Sequence, residues 1–165
     1  YNKKDIAPTT PESLMVWMLL ATDWQEDNGN TYTYFGVGSP TWPDMGLSLE
    51  TGTSDPCIGG DLHIYADGPI GASQHIVHPT LVTGQWVSII AVINTSSSKI
   101  LIDGVEVAPR IPAVLPAALP DVGGIVSVFP SLNGIVKDVG FSLANAHQTP
   151  DEIAKLAAYL ESLKP

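Results

Sequence analysis

Residues 85–108, QWVSIIAVINTSSSKILIDGVEVA, leave this chain few folds to choose from. Residues 86–93 form a β-branched apolar run of strand length, bounded by Gly84 and Asn94. Residues 99–102 and 105–107 then flank Asp103-Gly104, the pair that most favours a two-residue type I′ hairpin. Three consecutive strands with tight connections commit this segment to an antiparallel sheet.

The remainder follows the same logic. Residues 14–22 suit a buried strand. Residues 31–37 alternate, with Tyr32 and Tyr34 on one face and Phe35 and Val37 on the other. Residues 46–50, 61–66 and 74–77 add short strands. In the second of these, Leu62 and Ile64 share one face and His63 and Tyr65 the other. Residues 109–120 hold four prolines among small apolar residues and are expected as an extended crossing without regular structure. Residues 122–129 and 134–143 read as two further strands, with Ile135, Val139, Phe141 and Leu143 sharing a face of the second. Thr149-Pro150-Asp151-Glu152 is a capping box with proline at the first helical position. Behind it Ile153, Leu156, Ala157, Leu160 and Leu163 form one apolar stripe. Nine or ten strands and one C-terminal helix predict an all-β, two-sheet antiparallel sandwich with a short appended α-helix. Residues 1–13, polar with two prolines, are expected to be a linker or lead-in arm, and residues 14–165 a single domain.

Charge narrows the function. Seven Lys plus Arg stand against 17 Asp plus Glu, for a net charge of −10. No basic patch exists to neutralise phosphates, which argues against nucleic acid and anionic membranes as partners. No apolar run is long enough to insert across a bilayer. Cys57 is the single cysteine, so no intrachain disulfide forms, and its spacing to His63 matches no zinc pattern. It is expected as a small buried hydrophobe. A start at Tyr1 without a basic leader is expected of a processed or excised piece of a longer protein.

The segment LNGIVKDVGFSLANAHQTPDEIAKL, residues 132–156, completes a pattern that begins at Trp86. Trp86, Asp103-Gly104, Asn133-Gly134, Lys137-Asp138-Val139 and the Thr-Pro-x-Glu-Ile helix start at residues 149–153 occur in the order seen in concanavalin A-like jelly rolls of the laminin-G and pentraxin type. FGVGS at residues 35–39 fits a strand end there. The chain resembles that family over residues 14–163, most strongly over 84–156. The resemblance implies a jelly roll of two antiparallel sheets, one concave, with ligands on the concave face or rim loops. It further implies glycan binding within secreted, adhesive or phage-tail proteins. The calcium residues of pentraxins have no residue-by-residue counterpart here.

Catalytic strings are missing. Glycosidases need two carboxylates at a fixed separation, and the E-x-D-x-x-E string of glucanases with this fold does not occur. Neither does G-x-S-x-G. Lyases of this fold use a His and Tyr pair, for which His63, His75 and His78 with Tyr32, Tyr34 or Tyr65 are the available residues, but their motif strings are lacking. Sugar binding needs flat aromatic faces with Asp, Asn and His beside them. The candidates are Trp24, Tyr32, Tyr34, Trp42, Asp44, His63 and Tyr65. Alternation turns Tyr32, Tyr34, His63 and Tyr65 away from the core. The competing expectation is ordinary cross-strand pairing, or cover by the C-terminal helix or a neighbouring subunit. Trp17 and Trp86 are expected in the core. Asp23, Glu26 and Asp27, with Asn28 and Asn30, make an oxygen-rich loop that would suit Ca2+ without matching an EF-hand.

These features predict a non-catalytic carbohydrate-binding module of a larger extracellular or virion protein, such as a phage tail or adhesin. The alternatives are a structural, oligomerisation or protein-interaction module of the same fold, forming a homo-oligomer through its parent protein, and a polysaccharide lyase or glycosidase.

Overall fold

The computed structural model describes residues 2–9, 13–22, 31–38, 43–50, 58–68, 71–94, 97–111, 122–128, 134–142 and 149–165. Its strands are β1 (Asn2–Thr9), β2 (Ser13–Thr22), β3 (Thr31–Gly38), β4 (Pro43–Glu50), β5 (Leu62–Gly68), β6 (Gly71–Val77), β7 (Trp86–Asn94), β8 (Ser98–Ile102), β9 (Val105–Glu106), β10 (Pro109–Ile111), β11 (Val122–Val128) and β12 (Gly134–Ser142). Helix α1 (Pro150–Ser162) follows. One sheet has seven strands in the order β1-β11-β3-β4-β5-β6-β10, the other five in the order β12-β2-β7-β8-β9. Every pairing is antiparallel. The fold is a two-sheet jelly-roll sandwich with one C-terminal helix, as the sequence predicts.

Two apolar layers explain the two kinds of strand. Between the sheets, Leu14, Val16, Met18 and Leu20 of β2 and Val87, Ile89, Ala91 and Ile93 of β7 meet Phe35, Leu47, Leu49, Leu62, Ile64 and Val77. On the other side of the five-stranded sheet, Met15, Leu19, Ile90, Val92 and Leu101 meet Ile153, Ala157 and Leu160 of α1. Strands β2 and β7 are therefore covered on both faces, which is why they read as unbroken apolar runs while β5 alternates. Trp17 and Trp86, expected in the core, are partly buried in the helix layer rather than between the sheets. The indole of Trp17 lies over Gly140, where a Cβ would strike the ring.

The ends of α1 are fastened by polar groups. The Thr149 side chain accepts from the Glu152 backbone N–H, and the Glu152 carboxylate accepts from the Thr149 N–H at 2.9 Å. This closes the capping box. At the far end Lys164 pairs with Asp103 and Glu161, each at 2.8 Å. Buried Ser88 donates from Oγ to Glu161 at 2.8 Å and from its backbone N–H to Asp103 at 2.8 Å. The Asp103-Gly104 hairpin has φ of 51° and 77°, as a type I′ turn requires.

Three expectations change. Residues 2–9 are not a linker: they form β1, pairing with β11 from Asn2↔Val128 to Thr9↔Val122. A polar strand of this kind gains its order from a distant partner, which local composition does not reveal. The proline-rich crossing begins with a strand, β10, paired with the end of β6. In β12 the register shifts between Val136 and Asp138, so Lys137 is an extra residue and the alternation changes phase. Val136, Val139 and Phe141 pack on the core, while Ile135 is 66% exposed.

Candidate functional site

Strand β5 carries the site. Leu62 and Ile64 are buried in the core, so Asp61, His63 and Tyr65 fall on the opposite side of the seven-stranded sheet. His63 and Tyr65 are half-buried, and their rings meet edge to face with centroids 5.6 Å apart. Cross-strand register sets Tyr65 between Gly46 and Gln74, and His63 between Ser48 and Ile76. The Tyr65 ring lies over Gly46. A Cβ there would meet the Tyr65 hydroxyl and the Phe35 carbonyl oxygen. The glycine thus gives the tyrosine room to lie along the sheet. Helix α1 packs on the outer face of the other sheet, so it does not cover this pair.

Next to it stands a polar cluster. Asp61 is fully buried. Its carboxylate accepts from the Ile58 N–H at 2.9 Å, from Arg110 Nη2 at 2.5 Å and from Arg110 Nε at 3.1–3.2 Å. His78 Nδ1 lies 3.0 Å away. These donors replace the water lost on burial, which makes a fully buried carboxylate tolerable here. The register shift between Pro109 and Ile111 makes Arg110 the extra residue of β10, and that bulge accompanies the turn of its side chain onto Asp61.

His75 sits differently. It pairs with core-facing Ile64, is 3% exposed, and neither ring nitrogen has a hydrogen-bond partner among the described residues. Burial pushes its pKa down, opposed by the charge of Glu106. It belongs to the interior, apart from His63 and His78.

Of the sequence candidates, His63 and Tyr65 are brought together. Tyr32, Tyr34 and Asp44 lie in β3 and β4, where the backbone alone is described. The register sets Tyr32 opposite Leu49 and shifts between Thr33 and Phe35. The unbroken alternation that grouped Tyr32 with Tyr34 therefore does not run through the strand. Asp44 is likewise the extra residue where Gly38↔Pro43 gives way to Val37↔Met45. Trp24, Trp42, the calcium candidates Asp23, Glu26 and Asp27, and Cys57 lie outside the described residues. Among the described residues there is no group of three or more His, Cys, Asp or Glu suited to a metal ion, and no helix long and apolar enough to cross a membrane. The sequence reading missed Asp61 and Arg110. A signal existed: Arg110 is the only arginine in the chain, and arginine is the residue that best neutralises a buried carboxylate.

No protein-family model and no curated protein matches the chain. Solved structures do. A putative carbohydrate-binding protein from Bacteroides ovatus superposes with a TM-score of 0.63 at 14% identity, over 94% of this chain and 44% of that one. The heptameric SAP-like pentraxin of Limulus polyphemus gives 0.62 at 13% identity, over 94% and 74%. Domain 4 of an extracellular arabinanase from Geobacillus stearothermophilus, in complex with arabinotriose, gives 0.58 at 17% identity, over 93% and 71%. At such identities the likeness is one of fold: the chain shares a two-sheet jelly-roll β-sandwich with these structures. The chain spans only 23%, 36% and 44% of the first matched structures' own lengths.

Proposed function

We propose that this jelly roll is a non-catalytic glycan-binding module whose contact surface is the outward side of β5, within a larger extracellular or virion-associated protein of the adhesin or phage-tail kind. The observation that carries the reading is the His63–Tyr65 pair. Two rings in edge-to-face contact stand on a sheet face that α1 does not cover, with Tyr65 laid across onto Gly46 of β4. A phenol ring offers a flat face to sugar C–H bonds, and imidazole offers polar atoms to hydroxyls. Support also comes from neighbours of the same fold whose names include a carbohydrate-binding protein and an arabinotriose complex. A net charge of −10 favours neutral sugars over anionic ones.

A glycan array probed with the native chain, first with calcium and then with EDTA, tests this. Binding to neutral glycans is expected, with Tyr65→Ala reducing it at least about tenfold. Loss of binding in EDTA would point to the acidic segment at residues 23–30. No binding in either condition would favour a structural or oligomerisation module instead, and turnover of an arrayed polysaccharide would favour an enzyme.

A further inference from the structure

We infer that the binding face continues from Tyr65 and His63 to His78, making an elongated strip that takes a neutral oligosaccharide chain rather than a single terminal sugar. The inference rests on the glycan-binding reading and deepens it. Alternation along β5 puts Asp61, His63 and Tyr65 on one side, because Leu62 and Ile64 are in the core. On β6 the same parity holds: Val77 is in the core, and Ile76, itself fully buried, stands opposite His63; His78, just past the end of β6, reaches Asp61 at 3.0 Å. Tyr65, His63 and the Asp61–His78 pair therefore follow one another along the strand. Four residues of strand cover about 13 Å at ~3.3 Å each, longer than one sugar ring.

The chemistry at the far end is set by Asp61. Its carboxylate, paired with Arg110, is the acceptor toward His78. The hydrogen between it and His78 must then sit on His78 Nδ1. In the neutral imidazole this leaves Nε2 as a lone-pair acceptor, suited to a sugar hydroxyl proton. The His78 side chain is 47% exposed although Asp61 is fully buried, so the ring spans from the sheet to the surface. A ring fixed by one nitrogen loses little freedom on binding through the other. Because Asp61 cancels the charge of Arg110, the cluster offers no net positive centre, and the ligand it fits is hydroxyl-rich and uncharged.

The probe is a set of arabinan, xylan and β-glucan oligosaccharide ladders, one to six units long, titrated calorimetrically into the native chain and three variants. Affinity is expected to rise with length to at least three units. His78→Ala should reduce the affinity of the longer probes about fivefold to tenfold, to the level of the shorter ones, while Tyr65→Ala weakens every length. His78→Asn retains a side-chain donor near the Nδ1 position for Asp61 and removes Nε2. It should match His78→Ala in binding and the native chain in thermal stability, which separates a lost contact from a loosened fold. His78→Gln, whose amide reaches toward the Nε2 position, should restore part of the length dependence. Length-independent binding, or a ladder unchanged in His78→Asn while Tyr65→Ala still weakens it, would overturn the inference and leave the glycan-binding reading standing. No binding to any ladder, in a chain that also fails the array, would overturn both.

Discussion

Three histidines near one another in sequence meet three different environments, and their chemistry follows from those environments. His63 shares a sheet face with Tyr65. His78 is held by a buried carboxylate. His75 is enclosed between the sheets with no polar partner among the described residues. The fate of His75 was legible only in part: alternation through 74–77 assigns its parity once Val77 is known to be inward, but nothing in the sequence says which parity is inward. Its burial has a consequence for acid stability. Because burial lowers its pKa below the ordinary value of about 6.5, the unfolded chain takes up a proton that the folded chain refuses. Above that pH both states are neutral at this site and it contributes nothing. As the pH falls below it, the site increasingly favours unfolding, until the folded-state pKa is reached. Urea midpoints measured from pH 7.5 to 5 should therefore fall with a component that His75→Leu removes. An identical pH slope in that variant would show that other groups govern acid unfolding.

At the scale of elements, what was legible was local. The Asp103-Gly104 hairpin and the Thr149 capping box specify their backbone within a few residues, and both form where the sequence puts them. What was not legible depends on partners far along the chain. Strand β1 exists because β11 pairs with it, and the extra residue in β12 exposes Ile135 by shifting the alternation. Asp61 and Arg110 meet because β5 and β10 both flank β6. Helix α1 combines both kinds of information: a local cap and an apolar stripe that needs the sheet beneath it. Thr149→Ala should cost about 1 kcal/mol. Leu160→Ala, at a fully buried position, should cost about 2–4 kcal/mol. Chemical denaturation of both variants checks the order. A cap variant as damaging as the core one would mean that the helix docks only when its first turn is already formed.

For the whole molecule, the two sheets divide the labour. The five-stranded sheet is covered on both sides, by the inter-sheet core and by α1. The seven-stranded sheet has its outward side clear of the helix, and there His63 and Tyr65 of β5 stand, with Asp61 just before β5 and His78 just after β6. The sequence displayed the fold through its hairpin, closing strand and helix cap. It displayed only half of the site, because His63 and Tyr65 follow from alternation, whereas the Asp61–Arg110–His78 cluster follows from strand order. The most direct test of that division is to map amide and side-chain NMR shifts on adding the best neutral oligosaccharide from the array. The perturbed residues are expected to run along Asp61, His63, Tyr65 and His78, with Trp17, Trp86 and α1 unmoved. Perturbations gathered on α1 or the five-stranded sheet, with residues 61–65 silent, would contradict that division.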